Sequence, residues 1–239
     1  MKKILPMLLL LAGVSLNASA ATFSAMSLLS QSQFKDLSED FGAALSYKSL
    51  QPAEPLGITG FDVSLEATST DISKSGAALK TATNGDVDIT RVIVPKLHVS
   101  KGLPFGVDVS ASLASVPGTD IKVIGGELRY AILGGGVALP AIAVRASMSR
   151  LSGVSEWDLN TKGLDLSISK GFLMFTPYAG IGQVWATSTP HAGTLTEENV
   201  TLAKTFIGAN MNLGLMNFAL EGDKTGDANS VSFKFGFRW

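Results

Sequence analysis

From Asn229 the chain reads NSVSFKFGFRW, and its two faces separate at every second residue. Val231, Phe233, Phe235, Phe237 and Trp239 fall on one parity. Ser230, Ser232, Lys234, Gly236 and Arg238 fall on the other. A period of two marks a β-strand with one apolar and one polar face. The alternation recurs upstream. Phe61, Val63, Leu65 and Ala67 alternate with Asp62, Ser64 and Glu66. Phe105, Val107, Val109, Ala111 and Leu113 alternate with Asp108, Ser110 and Ser112. Ile142, Val144, Ala146 and Met148 alternate with Arg145, Ser147 and Ser149. Leu164, Leu166 and Ile168, and later Ile207, Ala209, Met211 and Leu213, repeat the pattern. The pattern predicts ten strands, within a range of 8–12, near residues 57–69, 88–100, 104–116, 119–132, 138–150, 157–169, 173–187, 200–213, 216–223 and 229–239. Around Val123 and Ile124 the apolar parity switches, which predicts a β-bulge.

Short turns at Lys101-Gly102-Leu103, Lys170-Gly171-Phe172 and Gly214-Leu215-Met216-Asn217 contrast with long polar connections at 70–87 and 188–199. The two kinds fall at opposite strand ends, as in transmembrane barrels. Residues 21–56 precede the strands. Phe34, Leu37, Phe41 and Leu45 share one helical face, and Ser30 or Ser32 is placed to cap its start. Gln51-Pro52-Ala53-Glu54-Pro55 breaks the chain before the barrel. One reading makes this helix a plug of the lumen or a lid on its periplasmic mouth. The other leaves it on the rim, or makes residues 42–49 an extra strand.

Composition narrows the class. Of 239 residues only 16% are charged, 46% are hydrophobic and the mean hydropathy is +0.29. Yet past the leader the longest apolar run, Tyr130 to Val144, contains Gly134, Gly135, Gly136 and Pro140. A spanning helix needs about 20 predominantly apolar residues, so a helical membrane bundle is excluded. Lys2, Lys3, an apolar stretch from Ile4 to Leu16 and Ala18-Ser19-Ala20 form a secretory signal peptide over residues 1–20. The remaining charge, near −3, does not recruit nucleic acid. Export permits disulfides, but the chain has no cysteine.

A soluble β-sandwich also shows period two. Three features favour a transmembrane barrel instead. The strands are about eleven residues long, twice the usual five or six. The polar parity is rich in Ser and Gly rather than Lys and Glu. The last strand is alternately aromatic. That strand resembles the C-terminal assembly signal of Gram-negative outer-membrane β-barrels, with Val231, Phe233, Phe235, Phe237 and Trp239 at the signal positions. The resemblance implies an antiparallel barrel over residues 57–239 in the outer membrane, in contact with lipid. It also implies periplasmic chaperones and the barrel-assembly machinery as partners.

Inward parity then assigns Asp62, Glu66, Lys96, His98, Asp108, Glu127, Arg129, Arg145, Asp165, Lys204, Glu221, Lys234 and Arg238 to the lumen. Acids and bases balance, which points to charges paired across a narrow interior rather than to an ion-selective pore. The function expected is a passive envelope protein or small-solute channel. The alternative is a non-conducting barrel acting through its outer loops, by adhesion or partner binding, and an enzyme barrel is the third reading. No catalytic, cofactor or metal site is assigned. There is no G-x-S-x-G elbow or H-E-x-x-H spacing, and Gly134-Gly135-Gly136 lacks the strand–helix context of a phosphate loop. The two histidines, His98 in the lumen and His191 near Glu197 and Glu198 in an outer loop, read as hydrogen-bonding and solvated residues.

Overall fold

A computed structural model of the chain describes residues 23–115, 120–191 and 193–239. The signal-peptide assignment lies outside these residues. Ten antiparallel strands close into a barrel: β1 (Phe61–Asp71), β2 (Arg91–Gly102), β3 (Val107–Ser115), β4 (Lys122–Gly134), β5 (Ala141–Ser152), β6 (Trp157–Ser169), β7 (Phe175–Pro190), β8 (Glu198–Leu213), β9 (Met216–Thr225) and β10 (Ala228–Arg238). Each strand pairs with its neighbour in sequence, and β1 pairs with β10 from Asp62↔Arg238 to Thr70↔Ser230. The expected fold and strand number are thus observed. Helix α1 (Gln31–Leu45) precedes the barrel. A second helix, α2 (Gly76–Ala82), lies in the β1–β2 connection, which the sequence reading left as polar loop.

One rim carries the β2–β3, β4–β5, β6–β7 and β8–β9 turns. The other carries the long β1–β2 connection, with α2, and the β7–β8 loop. The division by length is incomplete, because β9–β10 closes through only Gly226-Asp227 at the long-loop rim.

The wall changes its polarity along its height. Toward the short-turn rim the outward positions are apolar: Leu164, Leu166 and Ile168 on β6, Ile207 on β8, and Val231, Phe233, Phe235 and Phe237 on β10 are exposed. Their inward neighbours, Asp165, Ser167, Ser169, Ser232 and Lys234, are buried. Toward the long-loop rim the same strands reverse. Trp157 and Leu159 on β6, Val184 and Ala186 on β7, and Val200 and Leu202 on β8 point inward into an apolar core. Their outward neighbours include Asn160, Lys162, Asn199, Thr201 and Thr205. The lower barrel is therefore built for lipid outside and polar groups inside. On β6, β7 and β8 the upper barrel has the dry interior and wet exterior of a soluble protein, while Ile93 on β2 and Ile124 on β4 stay apolar on the outward face.

The parity switch at Val123–Ile124 belongs to this reversal and is not a bulge. β4 keeps unbroken register there with β3 and β5. Val123 turns in to pack on the upper core, and Ile124 faces out. The irregularity in β4 lies between Ala131 and Leu133. A strand that passes from lipid to water swaps its apolar side without inserting a residue.

The reversal gives opposite outcomes for one substitution on one face. Leu166→Arg, in the lower girdle, should cost about 2–4 kcal/mol of folding stability in a bilayer. Thr201→Arg, outward on the upper wall, should be nearly neutral. Denaturant unfolding of both variants in phospholipid vesicles makes the comparison, and equal costs would contradict the assigned boundary.

Candidate functional site: the filled lumen

Residues 23–45 form a cap at the long-loop rim. The backbone of Ser30 and the side chain of Gln33 make a capping box: Ser30 N–H donates to Gln33 Oε1 (2.9 Å) and Gln33 N–H to Ser30 Oγ (3.3 Å). Ser30, of the two candidates, is the cap. Gln31 ties the helix start to the β7–β8 loop, donating to Thr196 O (3.1 Å) and accepting from Thr196 N–H (3.0 Å). The apolar face of α1, with Phe34 and Leu37 fully buried, meets Trp157, on which Phe23, Phe34 and Phe41 converge edge-on at 5.4–6.4 Å. Gly42 permits the approach to β7: a Cβ there would stand 2.9 Å from the Cβ of Ala186. Below α2, buried Asp40 accepts from Ser75 N–H (2.8 Å). Burial nevertheless raises its carboxyl above the usual range.

The helix stops at Leu45, and Ser46 turns extended (ψ 149°). Residues 46–56 then run down the lumen as a strap and leave at the short-turn rim, where β1 begins. The expected extra strand at 42–49 does not form. Nor does the helix close the short-turn mouth; it closes the opposite one, and the extended strap is what occupies the lumen. The helix needs a wide, apolar surface for its face, which only the upper barrel supplies.

A strap without strand partners carries backbone groups that must be satisfied inside a closed wall. Side chains of the wall do this. Ser149 Oγ donates to Leu45 O (2.6 Å), Lys204 Nζ to Tyr47 O (3.4 Å) and Arg129 Nη1 to Pro52 O (2.7 Å). Lys96 Nζ donates to Lys48 O and Arg145 Nη2 to Gln51 O. In the other direction, Ala53 N–H donates to Ser169 Oγ (3.0 Å) and Leu56 N–H to Asp108 Oδ1 (3.1 Å). The strap's side chains bond outward too. Lys48 Nζ sits 2.8 Å from both oxygens of Asp223, Ser49 Oγ donates to Glu127 Oε1 (2.9 Å) and Gln51 Nε2 to Ser100 Oγ (2.9 Å). Tyr47 reaches His98 Nε2 (2.7 Å). Its ring fits because Gly125 faces it: a Cβ there would lie 2.7 Å from the ring.

All the assigned lumen charges lie on the inner wall, but their pairing differs from expectation. The ion pairs run around the wall and not across it: Asp62 with Lys234 (2.7 Å) and Arg238 (2.8 Å), Glu66 with Lys96 (3.1 Å), Asp108 with Arg129 (2.7 Å) and Asp165 with Lys204 (2.9 Å). Lys96, Arg129 and Lys204 thus each hold a wall carboxylate with one donor and a strap carbonyl with another. Arg145 donates to a strap carbonyl and lies over the Phe206 ring at 5.5 Å. Glu221 is buried on β9 opposite Gly208. Sequence reasoning missed Lys48 and Asp223, the buried pair that joins strap to wall, because nothing in their spacing links residues so far apart.

The histidines separate. His98 is wholly buried between Tyr47 and the wall, with Glu66 Oε1 at 3.3 Å from its Nδ1. His191 bonds Asp158 (3.0 Å), and Glu197 instead accepts from Thr189 (3.0 Å). A cavity of about 30 Å³ lies beside Tyr47 and Lys96.

These features define a closed antiparallel β-barrel with an apolar girdle, a polar interior and a built-in plug. No protein-family model and no curated protein matches the chain. Solved structures similar to it include a loop-deletion mutant of OmpT, an outer membrane protein of Vibrio cholerae (13% identity, 62% of this chain, TM-score 0.32). This chain spans about half (54%) of that structure. The KdgM porin (9% identity, 73% of this chain and 98% of that one, TM-score 0.36) and Ail, the attachment invasion locus protein of Yersinia pestis, in complex with a heparin analogue (13%, 75% and 98%, TM-score 0.29), are also similar. The assignment of a closed barrel rests on the strand pairing itself.

Lys48→Ala should leave Asp223 buried without its partner and cost about 3–5 kcal/mol. The double variant Lys48→Met/Asp223→Leu should recover most of that loss. Unfolding of the two variants in detergent measures the difference, and equal losses would remove the pair from its strap-holding role.

Proposed function

We propose that the protein is an outer-membrane β-barrel that does not conduct, because its own N-terminal segment fills the lumen, and that it acts through its long-loop face. Of the expected functions, the loop-acting barrel is better supported than the channel. The observation that carries this is the strap. Its carbonyls take hydrogen bonds from Lys96, Arg129, Arg145 and Lys204. A hydrogen bond to a charged group contributes about 1.5–3 kcal/mol, and unmaking several at once inside a dry wall is costly. A strap held this way is a structural filling rather than a gate.

The upper barrel supports the other half of the reading. Its polar exterior, the α2 connection and the β7–β8 loop stand above the girdle on strands that reach 16 residues in β7 and β8. With the short-turn rim on the periplasmic side, this face meets the cell exterior. A rigid, capped dome on an inert barrel suits recognition of a partner at the cell surface. The apolar girdle supports contact with outer-membrane lipid, and the aromatic β10 supports delivery by chaperones and the barrel-assembly machinery.

Purified full-length protein in planar bilayers should give no discrete conductance, whereas a variant lacking residues 31–56 should give steady open-channel steps. Discrete steps from the full-length chain would overturn the non-conducting reading. The path of the strap also sets the side on which Phe23 lies. An epitope inserted ahead of Phe23 should bind antibody on intact cells, and binding only after the outer membrane is permeabilised would reverse the assigned orientation.

A further inference from the structure

The short-turn rim departs from what its position demands. A rim that stands in water should carry polar turn residues. Here the tips are Leu103-Pro104-Phe105, Val137-Ala138-Leu139, Phe172-Leu173-Met174 and Leu215. Phe105 is 93% exposed, and Val137 and Leu173 are fully so. Phe105 and Leu173 also hold left-handed backbone, with φ of 65° and 54°, where Gly or Asn would sit with less strain. Two tip positions therefore combine backbone strain with an apolar side chain held in the open.

The charges on this rim show a second pattern. Lys170 turns back and places Nζ on Gly136 O (2.8 Å), Val137 O (2.8 Å) and Leu139 O (3.2 Å). All three donors of its ammonium group are spent on turn carbonyls. Lys101 does the same for Ile58 O and Gly60 O, and lies over the Phe61 ring at 4.1 Å. In water those carbonyls need no such partner; where water is scarce they do. The four turns hold no carboxylate among the described residues. The apolar tips continue the girdle through Ile142, Ile168, Phe175, Met216, Phe237 and Trp239, with Lys101 and Lys170 folded back onto the turns between them.

We propose that the short-turn rim is sunk into the phospholipid of the periplasmic leaflet, with Phe105, Val137, Leu173 and Leu215 anchored at the boundary between headgroups and acyl chains. Burial of Phe105 and Leu173 in lipid offsets the strained backbone that presents them. Lys101 and Lys170 satisfy the turn carbonyls in place of water. The barrel is then seated low, with its dome outside and the exposed strap exit, Glu54 and Thr59, as the polar part of this rim. This inference rests on reading the girdle as lipid-facing, and goes beyond it.

The chain has no cysteine, so single introduced thiols report cleanly. Phe105→Cys, Leu173→Cys and the girdle control Leu166→Cys are labelled with bimane, after insertion of the protein into phosphatidylglycerol–phosphatidylethanolamine vesicles. Both tip labels should be quenched by lipids spin-labelled near the headgroup, at least twofold more than by aqueous iodide. If the tips respond to iodide while Leu166→Cys responds to lipid, the rim stands in water and the proposal falls, with the girdle intact. Shielding of the tips from both quenchers would mean a protein contact and would also overturn it. If Leu166→Cys itself fails to respond to lipid, the membrane reading fails first. A stability measurement gives an independent sign. Leu173→Asn should lower the folding equilibrium constant in vesicles by about tenfold, through lost burial. An increase, which relief of left-handed strain in water would produce, would contradict the anchor.

Discussion

A backbone carbonyl in a dry interior must find a donor, and a single extended chain inside a barrel has no neighbouring strand to provide one. That constraint organises the lower half of this molecule. Lysine and arginine solve it because they carry several donors and no acceptor. Lys96, Arg129 and Lys204 each span from a wall carboxylate to the strap. The carboxylates hold the cations in place, and the cations hold the strap. The near balance of charges in the lumen follows from this, and it is a property of a filled interior rather than of a conducting one.

The same chain solves a different problem in its upper half. There α1 brings an apolar face, so the wall must be apolar inside and polar outside. The two solutions share ten continuous strands, and the changeover occurs within β6, β7 and β8 without a break in register. The upper core is anchored on Trp157, and the lower interior on the ion pairs. Between them Tyr47 and His98 mark the level at which helix has given way to strap.

The girdle was legible because lipid and lumen impose opposite demands on alternate residues. Val231 to Trp239 announce the outward face with no help from structure. The strand number followed for the same reason, and the helix from the spacing of Phe34, Leu37 and Phe41. The strap was not legible, since Ser46 to Leu56 obeys no period; its conformation is set by wall residues 48 to 175 positions away. The upper core was visible but misread. Val200 and Leu202 stand on the opposite parity to Ile207 and Ala209, and Val123 beside Ile124 gives the same sign. A change of surroundings, and not only an inserted residue, moves the apolar side of a strand. The inner positions of the charges were readable from parity, whereas their partners depend on which strands adjoin and on the strap between them.

The strap joins two things of different width. At one end is α1, with the roughly 10–12 Å girth of a helix and its side chains; at the other, the chain becomes β1 and is part of the wall. Mechanically this is a rivet with a head above and a weld below. Pulling downward jams the head against the narrow polar section, and pulling upward would tear out the first strand. The segment can leave only if the helix melts or the β1–β10 seam opens. The seam is the one join between chain ends in the wall, and Asp62 bridges it to Lys234 and Arg238. A barrel threaded by its own chain in this way has an order of assembly written into it: the segment must pass in before α1 folds or before the last strand shuts the ring.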